Sequence, residues 1–297
     1  MRVLNFGSLN LDYVYQVDHF VRPGETLSAA SRTVKNGGKG LNQSIALARA
    51  GANVAHAGCI GAGGEPLKTM LEREGVDTSK LLAVDEMQGH TVIQVNRDGE
   101  NCILLYGGSN QCVTEAQIAD TMSTFSAGDW LVLQNEVNNL PDIVNAAWER
   151  GMIIALNPSP YDSKLDAVDF GKLSWLLVNE VEAGQICGSD DPKAAWEWLH
   201  ARYPKLSVLI TLGSAGSMAF KVEGDHIETA IQEAFRVKAV DTTAAGDTFT
   251  GYFISGLMEG LPLKDSMCRA SKASSISVTR LGAADSIPFA TELEEMS

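Results

Sequence analysis

The chain has 297 residues, of which 45% are hydrophobic and 20% are charged; this is the composition of a globular protein with a sizeable core, and it excludes a disordered chain. The 37 acidic residues outnumber the 23 basic residues, so the formal net charge is −14. A surface this acidic argues against DNA, RNA or an anionic membrane as the main partner, because binding to phosphates requires clustered lysine and arginine.

Apolar runs that alternate with helical patterns predict an α/β fold. We expect strands at residues 2–8, 54–60, 130–134, 153–157, 176–179, 208–211 and 235–240. We expect helices at residues 42–50, 65–74, 115–125, 142–150 and 191–202, and a last one at 246–279 that is broken near Gly260. This alternation predicts right-handed βαβ units and a mainly parallel sheet covered by helices on both faces, which is a Rossmann-type three-layer sandwich.

Two segments break this alternation, because no helical pattern lies between their strands. The first holds strands at 13–17 and 33–35, and the second holds strands at 91–95 and 102–106. Asp98 and Gly99 favour a tight hairpin between the last two strands, since glycine tolerates a positive φ. We therefore predict a single domain, residues 1–297, with a small β-sheet contributed by residues 12–35 and 89–106. Such a sheet could act as a lid over a site at the strand ends.

The sequence gives no sign of a membrane span, a secretion signal or a zinc site. No apolar run approaches the 18 residues of a spanning helix. Polar residues at Asn5, Asn10 and Asp12 interrupt the apolar core that a signal peptide needs. The five cysteines are scattered, and no histidine has a second histidine four residues on. We therefore expect reduced thiols, a cytoplasmic location and no zinc.

Residues 241–249, which open the last helix, are the most informative segment. Ala244, Ala245 and Gly246 are small, so their backbone amides can approach a ligand closely, and amides at a helix N-terminus favour an anion. Asp247 in the same turn can take a proton from a nearby hydroxyl. An anion hole beside a base is what phosphoryl transfer to an alcohol requires. Taken alone, the segment is equally an ordinary helix start.

A second glycine-rich segment spans residues 36–43. Lys39 and Asn42 in it can donate to hydroxyls or phosphate, although a flexible turn with Asn42 as helix N-cap explains the same residues. It is not a Walker A loop, because Gly40 stands where serine or threonine should bind magnesium. Other polar or small residues follow predicted strands at Asn10, Asp12, Asn179, Glu182, Thr211 and Gly213. The carboxyl ends of strands are where open α/β sheets bind ligands.

Together these segments resemble the ribokinase family, the PfkB-type carbohydrate kinases. The resemblance covers nearly the whole chain, and its two signatures are residues 36–43 and 241–249. Supporting segments are 7–12, 23–26, 99–101, 179–182, 210–214 and 278–283. The resemblance implies a ribokinase-like sandwich with a β-sheet lid, an ATP-dependent kinase, and a homodimer that forms through the lid.

The resemblance also implies a role for each site residue. Asp247 would be the base that takes the proton of the sugar's primary hydroxyl, and the amides of Ala244, Ala245 and Gly246 would form the anion hole. The sugar would be held by Asn10, Asp12, Gly38, Lys39, Asn42, Glu136 and Asp247. ATP would contact Asn179, Thr211, Gly213, Gly246 and Lys272. Glu182 would hold Mg²⁺ through water. A monovalent cation, K⁺, would lie near Asp241, Thr243, Ser277, Arg280, Gly282 and Ser286.

Three departures from the family pattern bear on the sugar more than on the reaction. Residues 61–64 lack the usual acidic side chains, Leu41 replaces a common alanine, and residues 106–110 differ beside the substrate. We expect phosphorylation of the primary alcohol of a pentose, D-ribose at its 5-hydroxyl, to give ribose 5-phosphate. The alternatives are a deoxyribose or nucleoside kinase of the same family, or a catalytically silent sugar-binding module. The expected partners are a small-molecule sugar and ATP, with neither nucleic acid nor membrane.

Overall fold

The computed structural model describes residues 1–189 and 191–294. Its strands are β1 (Val3–Phe6), β2 (Asn10–Gln16), β3 (Ser31–Gly37), β4 (Val54–Ala62), β5 (Asp77–Met87), β6 (His90–Val95), β7 (Asn101–Tyr106), β8 (Trp130–Gln134), β9 (Ile153–Asn157), β10 (Trp175–Asn179), β11 (Ser207–Thr211), β12 (Ser217–Glu223) and β13 (His226–Gln232). Its helices are α1 (Lys39–Arg49), α2 (Glu65–Arg73), α3 (Glu115–Met122), α4 (Leu140–Glu149), α5 (Glu180–Cys187), α6 (Pro192–Arg202), α7 (Ala245–Met258), α8 (Leu263–Ser277) and α9 (Ala290–Glu294). Within the described ranges, no helix has the length and apolar character needed to cross a bilayer.

The large sheet has the strand order β13-β12-β11-β10-β9-β8-β1-β4-β5. Neighbours from β11 through β5 run parallel, whereas β12 pairs antiparallel with both β11 and the edge strand β13. The central strand β1 is buried along its whole length, as expected for a strand with parallel neighbours on both sides and helices on both faces. The predicted mainly parallel sheet is therefore confirmed.

Alternate residues of the central strands face opposite helical layers, because side chains point to opposite faces along a strand. In β8, Leu131 and Leu133 join the hydrophobic cluster that holds Ile118 of α3. Trp130 and Val132 join the other cluster, which includes residues of α1, α7 and α8. The two clusters lie on the two faces of one sheet, which gives the predicted three layers.

A second, small sheet has the order β3-β2-β6-β7. The strands come from two chain segments that are joined by the parallel β2–β6 pair, while β2–β3 and β6–β7 are antiparallel. Gly99 in the turn between β6 and β7 has a φ of 80°, the positive value expected of the Asp98-Gly99 hairpin. We refer to β2, β3, β6 and β7 as the small sheet.

Some predicted elements are wrong or incomplete. Residues 235–240 form a loop and no strand, and Phe235, Val237 and Ala239 line a cavity. Apolar residues at every second position are also the sequence pattern of a strand, so the sequence does not distinguish the two. Helix α1 begins at Lys39, with Gly38 as its N-cap, so Asn42 is not a cap. The strands β5, β12 and β13 were not predicted. The edge strands β5 and β13 mix polar and apolar residues and are partly exposed, whereas β12 lies one strand in from the edge, with Ser217, Ala219 and Phe220 buried.

A buried histidine lies beneath the central strands. His56 on β4 is fully buried, and Ser44 Oγ of α1 lies 2.8 Å from its Nδ1. Ser44 Oγ also accepts a hydrogen bond from Asn5 Nδ2 at 2.8 Å, so the hydroxyl bridges Asn5 and His56. Burial lowers the pKa of His56 to about 4. The imidazole is therefore neutral at neutral pH.

We expect His56 to make the protein less stable in acid. The unfolded chain binds a proton at histidine near pH 6.5, whereas the folded protein does so only near pH 4, so stability falls as the pH drops through this window. Between pH 7 and pH 4.5 the loss should be about 2–3 kcal/mol. In His56→Asn, which keeps an acceptor for Ser44, denaturant unfolding should lose that much less stability over the same pH range. An equal loss in both proteins would contradict a neutral buried His56.

Candidate active site

Two adjoining cavities lie at the carboxyl ends of the central strands. The first, about 250 Å³, has a mainly polar wall that includes Lys39, Asn179, Glu182, Thr211, Ala244, Ala245, Gly246 and Asp247. The second, about 330 Å³, has a more apolar wall that includes Thr211, Gly213, Phe235, Val237, Phe249 and Ser274. Because Thr211, Ala245 and Gly246 line both, the cavities form one continuous cleft.

The carboxylate of Asp247 lies at the start of α7 and is 7% exposed. Asn42 Nδ2 donates to Asp247 Oδ2 at 2.9 Å, and Gln43 Nε2 donates to Asp247 Oδ1 at 2.9 Å. Both amides come from the first turn of α1. Each carboxylate oxygen is thus held by one donor, and the group still reaches the first cavity.

Close packing of α1 on α7 makes these contacts possible. A Cβ on Gly251, one turn beyond Asp247, would lie 2.4 Å from Ala46 Cβ, one turn beyond Asn42. No larger residue fits at this position without moving the helices apart. The glycine therefore sets the helix separation at which the two first turns meet.

The backbone that leads into α7 adopts a rare conformation. Ala244, the N-cap, has φ 60° and ψ 9°, a left-handed geometry that costs a residue other than glycine about 1–3 kcal/mol. The first amides of a helix have no partner within the helix. Ala244, Ala245 and Gly246 line the first cavity, so this strained turn brings the N-terminus of α7 to the cleft. The Ala245 amide there donates to Thr242 O at 3.2 Å.

Lys39 is the cation of the first cavity. Its backbone N–H donates to Glu136 Oε2 at 3.1 Å, and Ser8 Oγ donates to the same oxygen. Burial by itself would lower the pKa of Lys39, but the carboxylates of Asp247 and Glu136 outweigh it and hold the pKa above its ordinary value. Burial raises the pKa of Glu136, and Lys39 opposes that rise. Lys39 therefore stays charged among acidic groups.

Polar residues of β2 extend the site toward the small sheet. Asn10 is buried, and its Oδ1 accepts from Asn110 Nδ2 at 2.7 Å. Asp12 Oδ1 accepts from Thr91 Oγ1 at 2.6 Å; burial raises the pKa of Asp12, and this hydrogen bond opposes the rise. A Cβ on Gly37 would lie 2.0 Å from Asp12 Oδ2, so only glycine leaves room for the carboxylate.

Sequence comparison assigns the chain to a family. Residues 2–290 match the pfkB family carbohydrate kinase profile. The chain belongs to this family of kinases. Ribokinase of Haemophilus influenzae is 35% identical over 298 residues, which cover 97% of this chain and 96% of that protein.

Solved ribokinase structures agree with this pfkB-family assignment. The ribokinase of Cryptococcus neoformans var. grubii serotype A, in complex with ADP, superposes with a TM-score of 0.85 at 35% identity and covers 100% of this chain and 99% of that one. The Arabidopsis thaliana ribokinase, complexed with ribose and ATP, superposes with a TM-score of 0.87 at 26% identity, with coverage of 99% and 97%. The kinase described here therefore has the ribokinase fold over its whole length.

The kinase has a reciprocal helix cap at the far wall of the first cavity. Asn179 Oδ1 accepts from the Glu182 amide at 2.8 Å, and Glu182 Oε2 accepts from the Asn179 amide at 3.1 Å. This capping box holds both side chains at the start of α5. Glu182 thereby presents a fixed carboxylate to the cleft.

Lys272 stands apart from the other predicted nucleotide contacts. It lies on α8, but the side chains of that helix that line the second cavity include Ser271 and Ser274, not Lys272. Thr211 and Gly213 line the cavity as expected.

The residues predicted around a monovalent cation form two linked loops. Asp241 Oδ1 accepts from the amide and hydroxyl of Thr243, and its Oδ2 accepts from the Gly282 amide at 3.0 Å. Ser277 Oγ and Ser286 Oγ lie 2.8 Å apart. The side chain of Arg280 turns away to pair with Glu292. The loop before α7 is thus tied to the segment after α8.

Two functional candidates were not singled out from the sequence. Gln43 donates to Asp247 Oδ1, as its neighbour Asn42 donates to Oδ2, but the sequence analysis predicts a role for Asn42 alone. The position of Gln43 next to Asn42 on the same helix is the sequence feature that points to it. Asn110 holds Asn10 and also accepts from the Leu9 amide at 3.0 Å. It falls within residues 106–110, which depart from the family pattern, but nothing local to the sequence brings it to β2.

Proposed function

We propose that this kinase transfers the γ-phosphate of ATP to the 5-hydroxyl of D-ribose, giving ribose 5-phosphate and ADP. The observation that carries the proposal is the position of Asp247 in one cleft with the strained helix start at Ala244 and with Lys39. The Arabidopsis thaliana ribokinase complexed with ribose and ATP supports the choice of substrates.

The chemistry assigns one task to each group. Asp247 takes the proton of the 5-hydroxyl as the sugar oxygen forms a bond to the γ-phosphorus. The bond from that phosphorus to the bridging oxygen breaks, and its electron pair leaves with ADP. Negative charge on the transferring group would face the Gly246 amide and the Lys39 ammonium. The Ala245 amide, which donates to Thr242 O at 3.2 Å, would join them by exchanging that hydrogen bond for the phosphate. Asn42 orients the base through Oδ2.

ATP fits the two cavities in series. We place the phosphates in the first cavity, between Asn179 and the start of α7, and the adenine in the second, against Phe235 and Phe249. Thr211 lines both cavities and Gly213 lines the second, whereas Lys272 lines neither.

The acidic groups present fit Mg²⁺ bound mainly by phosphates and water. In the part of the chain that the structure describes, no three His, Cys, Asp or Glu side chains converge as a metal site. Mg²⁺ keeps several waters and takes few protein ligands. We propose that Glu182, fixed by its capping box, holds such an ion through water. When bound, Mg²⁺ neutralises phosphate charge.

The Asp241 loop fits a bound K⁺. Burial opposes ionisation of Asp241, but hydrogen bonds from Thr243 and Gly282 outweigh it and hold its pKa below the ordinary value. A charged carboxylate beside loop carbonyls suits a large, weakly hydrated cation. We propose that K⁺ binds among Asp241, Thr243, Ser277, Arg280, Gly282 and Ser286, where several would contribute only backbone carbonyls. A bound cation would order residues 241–243 and, because Ala244 follows them directly, the N-cap of α7 as well.

We also propose a cytoplasmic location. The cysteines Cys59, Cys102, Cys112, Cys187 and Cys268 are free thiols. Reduced thiols persist in the cytoplasm, where ATP is also available.

Asp247→Asn tests the reaction. The amide keeps the shape of the carboxylate but cannot accept the proton, so kcat should fall by about 10²–10⁴, with the KM values for ribose and ATP near wild type. A coupled assay of ADP release measures both constants. If the variant keeps more than about a tenth of the wild-type kcat, Asp247 is not the base. Wild-type protein that binds ribose without turnover would instead indicate a silent sugar-binding module.

The residues proposed to hold the sugar are rich in hydrogen-bonding groups, and of the five named next, Lys39 lines the first cavity. Asn10, Asp12, Lys39, Asn42 and Glu136 suit a free sugar with several hydroxyls better than an apolar base. Each hydroxyl missing from the substrate leaves a buried polar group unpaired, which costs about 1–3 kcal/mol.

We therefore expect ribose to be preferred over 2-deoxyribose by about tenfold or more in kcat/KM, and both over nucleosides. Asp12→Ala should raise the KM for ribose strongly and leave the KM for ATP unchanged, because Asp12 lies on the sugar side. Asp18→Ala, which removes an exposed carboxylate just after the same strand, is the matched control. A higher kcat/KM for a nucleoside than for ribose, at the same ATP concentration, would contradict the proposed substrate but not the proposed kinase reaction.

The small sheet has an exposed apolar edge. All six residues of β7 are exposed, including Ile103, Leu104 and Leu105, and Leu104 is 71% exposed. An open edge strand with apolar side chains calls for cover. We propose that the small sheet is the lid of the cleft and that two lids pair to form a homodimer.

Light scattering at micromolar concentration should give twice the 31.8 kDa mass of one chain. Leu104→Asp should shift the protein toward monomer, because it places a charge in the paired surface. Ile231→Asp, at a similarly exposed apolar residue on β13, should leave the mass unchanged. A wild-type monomer would rule out the lid dimer.

A further inference from the structure

A run of buried side-chain hydrogen bonds leads from Asp247 into the core. Gln43 Nε2 donates to Asp247 Oδ1, and Gln134 Nε2 donates to Gln43 Oε1 at 2.7 Å. Gln134 Nε2 also donates to Asn5 Oδ1 at 3.0 Å. Gln43, Gln134 and Asn5 are fully buried, and Gln134 and Asn5 lie on the adjacent strands β8 and β1.

The direction of each hydrogen bond follows from chemistry. An ionised carboxylate only accepts, so Gln43 must turn its amide nitrogen toward Asp247 and its oxygen toward Gln134. Gln134 must then donate, and it uses both of its N–H groups, on Gln43 and on Asn5. Asn5 Nδ2 in turn donates to Gly40 O and to Ser44 Oγ, both at 2.8 Å. None of these side-chain amides can rotate by 180° without losing hydrogen bonds.

Gln134 uses both of its N–H groups on buried acceptors, Gln43 Oε1 and Asn5 Oδ1. Its own Oε1 is buried and has no hydrogen-bond partner in the described part of the chain. Space for this oxygen exists because residue 7 is glycine, where a Cβ would lie 2.4 Å away. Glutamine at position 134 therefore fixes the orientation of the Gln43 amide and leaves one acceptor of its own unpaired.

We propose that Gln134 is a positioning residue that acts on Asp247 through Gln43. It fixes the amide of Gln43, which holds Oδ1 of the base while Asn42 holds Oδ2. The carboxylate is thereby kept in one orientation, with its remaining lone pairs available to the sugar hydroxyl. The inference rests on Asp247 as the base of the proposed reaction.

Two substitutions at position 134 separate positioning from packing. Gln134→Met removes both N–H donors but keeps the side-chain volume, so Gln43 Oε1 loses the hydrogen bond that orients its amide. Gln134→Glu replaces the donor by an acceptor, which favours a reversed Gln43 that presents its oxygen to Asp247. We expect kcat to fall by about tenfold in the first variant and about a hundredfold in the second, with both KM values near wild type. Gln117→Met is the matched control, because Gln117 is a buried glutamine that bonds Gly58 O outside this run.

Thermal unfolding of each variant shows whether it is folded. If neither Gln134 variant folds, the kcat of Gln43→Met tests the proposal instead. In the Asp247→Asn background, Gln134→Met or Gln43→Met should cause no further loss of kcat, since the base is already gone. The inference is overturned if folded Gln134→Met and Gln43→Met keep wild-type kcat, if only KM changes, or if Gln117→Met loses as much kcat. Loss of kcat in Asp247→Asn with none in these variants would leave the proposed function standing, whereas absence of ribose phosphorylation in the wild type would remove that function itself.

Discussion

The contact between the first turns of α1 and α7 underlies the whole site. Asn42 and Asp247 are 205 residues apart in the chain, yet they meet because Gly251 lets the two helices pack backbone to side chain against Ala46. Helix α1 also has a glycine-rich start, and α7 brings the small residues Ala244, Ala245 and Gly246 to the cleft. One packing contact thus joins the residues proposed to bind the sugar to the helix start proposed to bind phosphate, and the spacing between Asp247 and that helix start depends on it.

Charge imposes the second constraint. In a chain with a net charge of −14, the overall field repels a nucleotide, so local groups must attract it. The cleft uses backbone amides at a strained turn, which carry no net charge, and one lysine. Lys39 sits where several carboxylates stabilise its ammonium, and it in turn offsets the crowding of Asp247 and Glu136. The acidic residues and the cation therefore depend on one another.

The sequence allowed the parallel sheet, the small sheet and both glycine-rich motifs to be predicted, because each has a local pattern of apolar period, turn residues or helix start. It could not distinguish the extended cavity wall at Phe235 from a strand, since both have the same period. Gln134 and Asn110 lay beyond such patterns as well. Their partners come from distant strands and helices, and only the folded chain brings them together.

The small sheet also constrains the order in which the chain can fold. Its two segments are joined into one sheet by the β2–β6 pair, where Leu11 aligns with His90. A nascent chain can form the β2–β3 hairpin early, but the inner edge of β2 stays open until residues of β6 have been synthesised. During that interval the strand carrying Asn10 and Asp12 lacks the neighbour that will cover it. Closing this loop costs conformational entropy, so the small sheet is completed only once β6 is available to pair with β2.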